Sequence, residues 1–191
     1  MKFDSIRVKY LCRLGYGDAL PKDEESEGEI PVFGSNGQYS TTSIPNTEAP
    51  AIVVGRKGSY GKVNWAPDGC FASDTTFYID DRLTKAHLRW LFWALQTLSL
   101  DEGSQEAAVP GLNREAVYEQ RINTPEIEIQ KLIADYLDRE VARIESILDM
   151  VGSRSAIGVK DGSLMALLLE RRTALIAAVI NGQILIEEMR A

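Results

Sequence analysis

The chain has 191 residues, of which 45% are hydrophobic and 26% are charged, and its formal net charge is −7. This composition predicts a folded chain with a buried core, arranged as one globular domain with an appendage or as two small domains, and it excludes intrinsic disorder. Since no apolar run is long enough to cross a bilayer and residues 1–10 contain no apolar signal region, we expect a cytoplasmic protein that does not contact membranes.

Residues 1–125 carry the pattern of a β-rich domain. Short segments rich in β-branched or aromatic residues lie at 51–55, 62–66 and 75–79, and each is bounded by glycine, proline or aspartate. Such segments are typical of strands, and the glycines between them mark tight turns. We expect an α+β fold in which this domain has an irregular, mostly antiparallel sheet and short helices.

The segment 84–98 is the clearest helix of this domain. Its apolar residues recur at helical spacing, and Thr84 can serve as the N-cap. Trp90 and Trp93 lie within it, and we interpret both as packing residues rather than base-stacking groups. A second short helix is predicted to begin near Asn113, whose side chain can cap it.

The region 126–191 has the pattern of two long helices. Pro125 suits a helix start, and acidic residues follow it in the first turn, where the helix dipole favours negative charge. On the first helix, apolar residues spaced by threes and fours form a seam at Ile133, Leu137, Ile144, Ile147 and Val151.

The stretch 152–162 interrupts the helical pattern with three glycines and is predicted as a loop. The second helix begins at Ser163 and ends at Asn181, with Gly182 in the C-terminal position that tolerates a left-handed conformation. One face of this helix carries Leu168, Leu175 and Val179. We therefore expect two antiparallel helices.

Five groups of residues follow one another in an order that composition alone does not explain. They are YGDALPK with IPVFGSNGQY (16–22 and 30–39), IVVGRKGSYGK (52–62), SDTT (73–76), AVPGLNR (108–114), and IQKLIADYLDREVARI with LLERRTALIAAVINGQI (129–144 and 168–184). Together they resemble the DNA-sequence specificity subunits of type I restriction-modification systems, and the resemblance covers nearly the whole chain. The glycine-rich GRKGSYGK does not fit a nucleotide-binding loop, because its glycines recur every three residues.

The resemblance implies a protein that reads DNA and catalyses no reaction. It implies a target recognition domain at 1–125 and a helical dimerisation and spacer region at 126–191 that docks the methyltransferase subunit. The expected partners are double-stranded DNA, the methyltransferase (modification) subunit and, in the full complex, the motor and endonuclease (restriction) subunit. Neither a cofactor nor a metal is expected in this chain.

Members of this family carry two recognition domains, whereas this chain carries one. We therefore expect a homodimer that pairs through the apolar residues of its helices. Because a two-fold dimer presents the same residues to both DNA strands, its target should be an interrupted palindrome. The alternative is a regulatory or anti-restriction half-subunit that occupies the methyltransferase through its helices without reading DNA.

Cationic and hydroxyl side chains concentrate in the loop that follows the strand at 51–55. Residues 54–65 contain no carboxylate, although the whole chain is acidic, so we expect weak DNA affinity without the partner subunit. Glycines permit close approach to DNA, and arginine can bond guanine in bidentate fashion. The candidate contacts in this loop are Arg56, Lys57, Ser59, Tyr60 and Lys62. A plain β-turn is the alternative interpretation.

Four further residues are candidate DNA contacts. Asn36 and Gln38 carry amides that pair well with adenine, although Asn36-Gly37 is also a signal for a solvated hairpin turn. Ser73 lies in SDTT, which either forms a local hydrogen-bonded turn or presents a polar contact surface. Arg114 is a candidate for a phosphate contact.

Catalytic and metal-binding roles find no support in the sequence. The single histidine, His87, lies in a predicted amphipathic helix, and no nucleophile has an evident base beside it. Cys12 and Cys70 are far apart and form no CxxC motif. This pattern favours buried free thiols over a disulfide or a metal site.

Overall fold

The computed structural model describes residues 3–101, 111–156 and 162–190. The chain divides into two compact units. The β unit comprises residues 5–122, and the helical unit comprises the residues up to Asp4 and those from Asn123 onward.

The elements follow one another in the order expected of a β-rich unit and a helical tail. The strands are β1 (Asp4–Arg7), β2 (Gly15–Tyr16), β3 (Ile30–Gly34), β4 (Gly37–Thr42), β5 (Ala51–Gly55), β6 (Val63–Ala66), β7 (Phe71–Ala72), β8 (Thr76–Asp80) and β9 (Arg121–Thr124). The helices are α1 (Val8–Leu11), α2 (Leu88–Leu95), α3 (Arg114–Glu119), α4 (Ile127–Ala156), α5 (Gly162–Ile180) and α6 (Ile186–Met189). In the described part of the chain, none of the helices is long and apolar enough to cross a membrane.

A four-stranded antiparallel sheet with the order β2-β8-β5-β6 forms the centre of the β unit. Every residue of the central strand β5 is buried, because this apolar strand is paired on both edges and covered on both faces. A second sheet has the order β4-β3-β7, in which β4 is antiparallel and β7 is parallel to β3. β1 pairs with β9 in a separate two-stranded sheet. The predicted α+β class and the mostly antiparallel sheet are confirmed.

The helix predicted over 84–98 is shorter than expected, and Thr84 is not its N-cap. The cap is His87, whose side chain accepts a hydrogen bond from the backbone N–H of Trp90. The Thr84 hydroxyl instead donates to the carbonyl oxygen of Leu11 at 2.8 Å. This tertiary bond holds Thr84 in an extended connection, so the helix starts later. Both tryptophans of α2 are buried, which confirms the packing interpretation.

Two predicted helix ends are confirmed. The Asn113 side chain caps α3 by accepting hydrogen bonds from the backbone N–H groups of Glu115 and Ala116. At the end of α5, Gly182 adopts a left-handed φ of 70°. The N–H of Gln183 then reaches back to the carbonyl of Ala178 at 2.9 Å, which satisfies a terminal carbonyl of the helix.

The two long helices of the helical unit run antiparallel. Asn123, just before α4, donates a hydrogen bond to Asn181 at the end of α5. Further along α4, Glu145 accepts from Arg172 at 3.4 Å. Later residues of one helix therefore meet earlier residues of the other, as the sequence predicted.

One apolar cluster joins the two helices and contains two of the five residues of the predicted seam on α4 and two of the three residues predicted on the apolar face of α5. It consists of Ile144, Val151 and Leu168, with Leu148, Met165 and Leu175 packed against it. Outside the cluster, the seam residues Ile133 and Leu137 on α4 and the predicted residue Val179 on α5 are fully buried. Ile147 differs, since 41% of its surface is exposed. Among the residues predicted to face a partner, Ile147 is thus the one that the chain leaves open.

The loop predicted at 152–162 is wrong in its first half. α4 continues to Ala156 and α5 begins at Gly162, while residues 157–161 lie outside the described part of the chain. A glycine in a helix costs only about 1 kcal/mol relative to alanine. The burial of Val151 beside it outweighs this cost, so α4 passes through Gly152 without ending.

We predict that both thiols are unreactive in the folded protein. Cys12 and Cys70 are free and buried. Burial raises the pKa of Cys12 to about 12. Burial also raises the pKa of Cys70 to about 11, against the opposing effect of a hydrogen bond with Thr47. Since the thiolate is the reactive species, a colorimetric disulfide reagent at pH 8 should label neither cysteine until denaturant is added. Rapid labelling of the native chain would show that one thiol is accessible.

Candidate nucleic-acid interface

An open cleft of about 430 Å³ lies in the β unit. We call it the polar cleft, and its lining residues are Gly34, Ser35, Asn36, Gly37, Gln38, Tyr39, Lys57, Ser59, Ser73, Asp74 and Thr75. They come from three motifs that are separate in sequence: the hairpin between β3 and β4, the loop after β5, and the SDTT turn before β8. Five of the nine predicted DNA contacts line the cleft, namely Asn36, Gln38, Lys57, Ser59 and Ser73.

The hairpin between β3 and β4 presents the two predicted amides. Its turn consists of Ser35 and Asn36, and Gly37 follows with a positive φ of 122° that favours glycine. Asn36 and Gln38 are both exposed. The ammonium group of Lys62 donates a hydrogen bond to Oδ1 of Asn36 and so fixes the orientation of this amide. The predicted hairpin is confirmed.

Ser35, which the sequence did not single out, joins the three motifs at the floor of the cleft. Its hydroxyl donates to the carbonyl oxygen of Thr75 at 2.6 Å and accepts from the backbone N–H of Lys57 at 3.3 Å. The residue is buried. Behind it, Gly55 has no room for a side chain, because a Cβ would lie 2.7 Å from the carbonyl oxygen of Ser35. These contacts fix the loop after β5 against the SDTT turn.

The SDTT segment forms the predicted hydrogen-bonded turn. The hydroxyls of Ser73 and Thr75 lie 2.8 Å apart, and the Thr76 hydroxyl donates to the Ser73 carbonyl. The backbone N–H of Ser73 donates to Phe33 on β3 at 2.9 Å. Ser73 is therefore buried with its hydroxyl engaged in the turn, whereas its neighbour Asp74 is exposed at the cleft.

The charges of the cleft are mixed rather than purely basic. The ammonium group of Lys57 lies 3.2 Å from the carboxylate of Asp74, and both side chains are about half exposed. Such an exposed pair contributes at most about 1 kcal/mol, so an incoming ligand can separate it at little cost. Burial, followed by the carboxylates of Glu25 and Asp74, raises the pKa of Tyr39, which keeps its hydroxyl a donor.

Arg56 and Arg114 lie outside the polar cleft and stack on a third residue, Tyr16. Their guanidinium carbons lie 5.1 Å and 5.0 Å from the centre of the Tyr16 ring. Arg56 also donates to the carbonyl oxygen of Asp74 at 2.8 Å, which places this stack next to the cleft. Sequence analysis identified Tyr16 only as the first residue of the YGDALPK motif.

The other predicted contacts and the AVPGLNR motif lie beside the polar cleft or outside it. Lys62 reaches the cleft only through Asn36, and Tyr60 does not line it. The AVPGLNR motif adjoins the loop after β5, since the N–H of Leu112 donates to the carbonyl of Arg56 at 2.8 Å. Residues 108–110 of this motif lie outside the described part of the chain. Within the described residues, no group of three or more His, Cys, Asp or Glu side chains could hold a metal ion.

The chain belongs to the type I restriction-modification DNA specificity family. The sequence profile described as "Type I restriction modification DNA specificity domain" matches residues 2–147, which is well over half of the chain. A sequence comparison with curated proteins gives no match.

Solved structures share the fold. The S subunit of a type I restriction-modification system from M. genitalium has a TM-score of 0.65 at 19% identity, over 78% of this chain and 42% of that one. A chain from a structure described as the basis of complex assembly and conformational transition of the type I R-M system has a TM-score of 0.58 at 16% identity. The match covers 95% of this chain and 46% of that one. The HsdS subunit from Thermoanaerobacter tengcongensis has a TM-score of 0.55 at 17% identity, over 95% of this chain and 46% of that one. The chain thus spans less than half the length of each of these proteins.

Proposed function

We propose that the chain reads DNA sequence for a methyltransferase subunit, with the polar cleft facing base edges in the major groove. The observation that supports this proposal is the convergence of three distant motifs on one open cleft. The side chains gathered there are amides, hydroxyls, an ammonium group and a carboxylate. These are the groups that distinguish base pairs by hydrogen bonding, and family membership makes DNA their expected ligand.

Individual residues of the cleft suit different bases. Asn36 and Gln38 carry the amides that bond adenine in bidentate fashion, and both are exposed. Asp74, the second residue of the SDTT segment, offers an acceptor for the amino group of cytosine. Once Asp74 turns to a base, Lys57 becomes available for guanine or for a phosphate. The role of Ser73 is to hold the turn that presents Asp74.

We predict that Arg56→Ala combined with Lys62→Ala weakens DNA binding by the complex of this chain with its methyltransferase. Each lost phosphate contact should flatten the salt dependence of binding by about one unit. The measurement is fluorescence anisotropy with a labelled duplex over a salt series. Arg13→Ala combined with Lys85→Ala is the matched control, because it removes the same charges from exposed residues that belong to none of the three motifs of the interface. Unchanged affinity and slope in a folded Arg56→Ala, Lys62→Ala chain would remove the loop after β5 from the interface.

We further propose that two copies pair through the helical unit and that the target is an interrupted palindrome. Four exposed apolar residues support the pairing: Ile147 and Met150 on α4, and Leu164 and Leu167 on α5. We call them the apolar patch. Their sequence neighbours form the cluster that joins the two helices, so all four lie at the same end of the pair. An asymmetric bipartite target, found when this is the sole specificity chain present, would contradict the homodimer.

The alternative function is a half-subunit that binds the methyltransferase through its helices without reading DNA. The acidic net charge of −7 favours it, as does the Lys57–Asp74 pair, which neutralises one cation of the cleft. The two functions differ in one outcome of the binding experiment. A methyltransferase complex that contains this chain and shows no preference among duplex sequences would favour the alternative.

A further inference from the structure

The stack of Arg56 and Arg114 on Tyr16 has features of a built site. Both guanidinium groups lie close to the Tyr16 ring, and 48% of the Tyr16 surface is exposed. Two positive charges therefore share one small area that solvent reaches. The ring lies 5.1 Å from Phe77 and opposite it in the pairing of β2 with β8, so its own position is fixed by the sheet.

Separate elements of the β unit bring the three residues together. The backbone of Arg56 is bonded on both sides, its N–H to Thr75 at 2.8 Å and its carbonyl oxygen to Leu112 at 2.8 Å. Arg114 is the first residue of α3, whose start is fixed by the Asn113 cap. With both backbones held, the two side chains reach the same Tyr16 ring, at 5.1 Å and 5.0 Å from its centre.

The charges of the stack are poorly balanced within the described chain. Arg56 donates to the carbonyl oxygen of Asp74 rather than to its carboxylate, which lies against Lys57 instead. Arg114 approaches one exposed carboxylate, that of Glu115, at 3.5 Å. Two nearby cations repel each other, and the negative face of an aromatic ring reduces this repulsion only in part. A bound anion would complete the balance.

From this geometry we infer that Tyr16 is a positioning residue, which holds Arg56 and Arg114 as a clamp for one phosphate of the DNA backbone. The inference rests on the proposed function, since it names a phosphate contact beside the same cleft. Arginine suits this role because its planar donors bind phosphate in bidentate fashion. Through the bond from Arg56 to Asp74, a phosphate held by the clamp sets the register of the base edges in the polar cleft.

The test uses the complex of the full chain with its methyltransferase and a labelled duplex that contains the sequence this complex methylates in cells. Binding of the duplex is measured over a salt series. Tyr16→Leu should weaken binding roughly tenfold and lower the salt slope by about one unit, as expected for one lost phosphate contact. Tyr16→Phe keeps the ring and should bind like the wild type. In a chain that also carries Arg56→Gln and Arg114→Gln, Tyr16→Leu should have no further effect on binding.

Tyr10→Leu is the matched control. Tyr10 is another exposed tyrosine, with the ammonium group of Lys9 5.4 Å from its ring, and it does not line the polar cleft. Tyr10→Leu should leave the DNA affinity and the salt slope unchanged. If Tyr16→Leu does not fold, Arg114→Gln, which leaves the ring in place, should lower the slope on its own.

The outcomes separate the inference from the function on which it rests. Wild-type binding with an unchanged slope in folded Tyr16→Leu, or in Arg114→Gln, would overturn the clamp and leave the proposed function standing. An equal loss in Tyr16→Phe would also overturn it, because the hydroxyl and not the ring would then be responsible. Absence of sequence-dependent binding by the wild-type complex would overturn the proposed function and the clamp together.

Discussion

Replacing Gly17 with alanine is expected to destabilise the β unit by about 3 kcal/mol. The added Cβ would lie 2.0 Å from the carbonyl oxygen of Ser73 and 2.5 Å from that of Ala72. Both atoms belong to the backbone and cannot move aside as a side chain can. The N–H of Asp18 donates to Ala72 at 3.0 Å, so the two segments would have to separate and break this bond. Urea denaturation of the full chain measures the free energy of unfolding.

Gly152→Ala is the matched control for this substitution. Gly152 lies within α4, and a Cβ there would meet no atom within 4 Å. Alanine should therefore stabilise the helix by about 0.5–1 kcal/mol. A Gly17→Ala chain as stable as the wild type would show that Gly17 does not pack against the SDTT turn as described.

Replacing Ile144 with aspartate is expected to lower the free energy of unfolding of the helical unit by about 3 kcal/mol or more. Ile144 is only 6% exposed, in the cluster with Val151 and Leu168. The substitution removes apolar contacts and buries a carboxylate without a partner. The stability of α4 and α5, followed by circular dichroism during denaturation, is the measurement. Unchanged stability would place Ile144 outside the packed interior.

Ile147→Asp separates stability from self-association. Because 41% of the Ile147 surface is exposed, an aspartate there stays in water and should change stability by less than about 0.5 kcal/mol. It should nevertheless weaken pairing of two copies if the apolar patch is their interface. Sedimentation of the full chain at several concentrations tests this expectation. An unaltered oligomer would remove the patch from the interface.

Local sequence signals predicted the elements that local interactions define. The strand expected at 51–55 is β5, because a short run of apolar and β-branched residues indicates a buried strand in the local sequence itself. The cap at Asn113 and the end at Gly182 were also predicted, because each depends on hydrogen bonds to residues a few positions away. Hydrophobic spacing likewise predicted the buried faces of α4 and α5.

Tertiary contacts decided the elements that the sequence predicted wrongly. Thr84 has the chemistry of an N-cap, but its hydroxyl bonds Leu11, far away in sequence, and His87 caps the helix instead. The sequence pattern predicted a loop at Gly152, but packing of its neighbour Val151 keeps this residue in α4. Propensity differences of about 1 kcal/mol are small beside such contacts.

Several residues that line the polar cleft were named from the sequence, but their assembly into one cleft was not predicted. The amides at 36 and 38 and the cations after β5 were identified because their chemistry suits DNA. Their convergence with Asp74 depends on the parallel pairing of β3 with β7, which no local pattern reveals. The stack on Tyr16 was not predicted for the same reason, since it involves two arginines that are distant from Tyr16 in sequence.

Methylation mapping tests the central claim most directly. The chain is expressed with its cognate methyltransferase in cells that contain no other specificity chain, and modified bases are located across the genome. The expected result is methylation at one interrupted palindrome, which appears only when the chain is present and which changes or disappears with Asn36→Ala and Gln38→Ala. Genome methylation that is the same with and without the chain would contradict its role as a reader of DNA sequence.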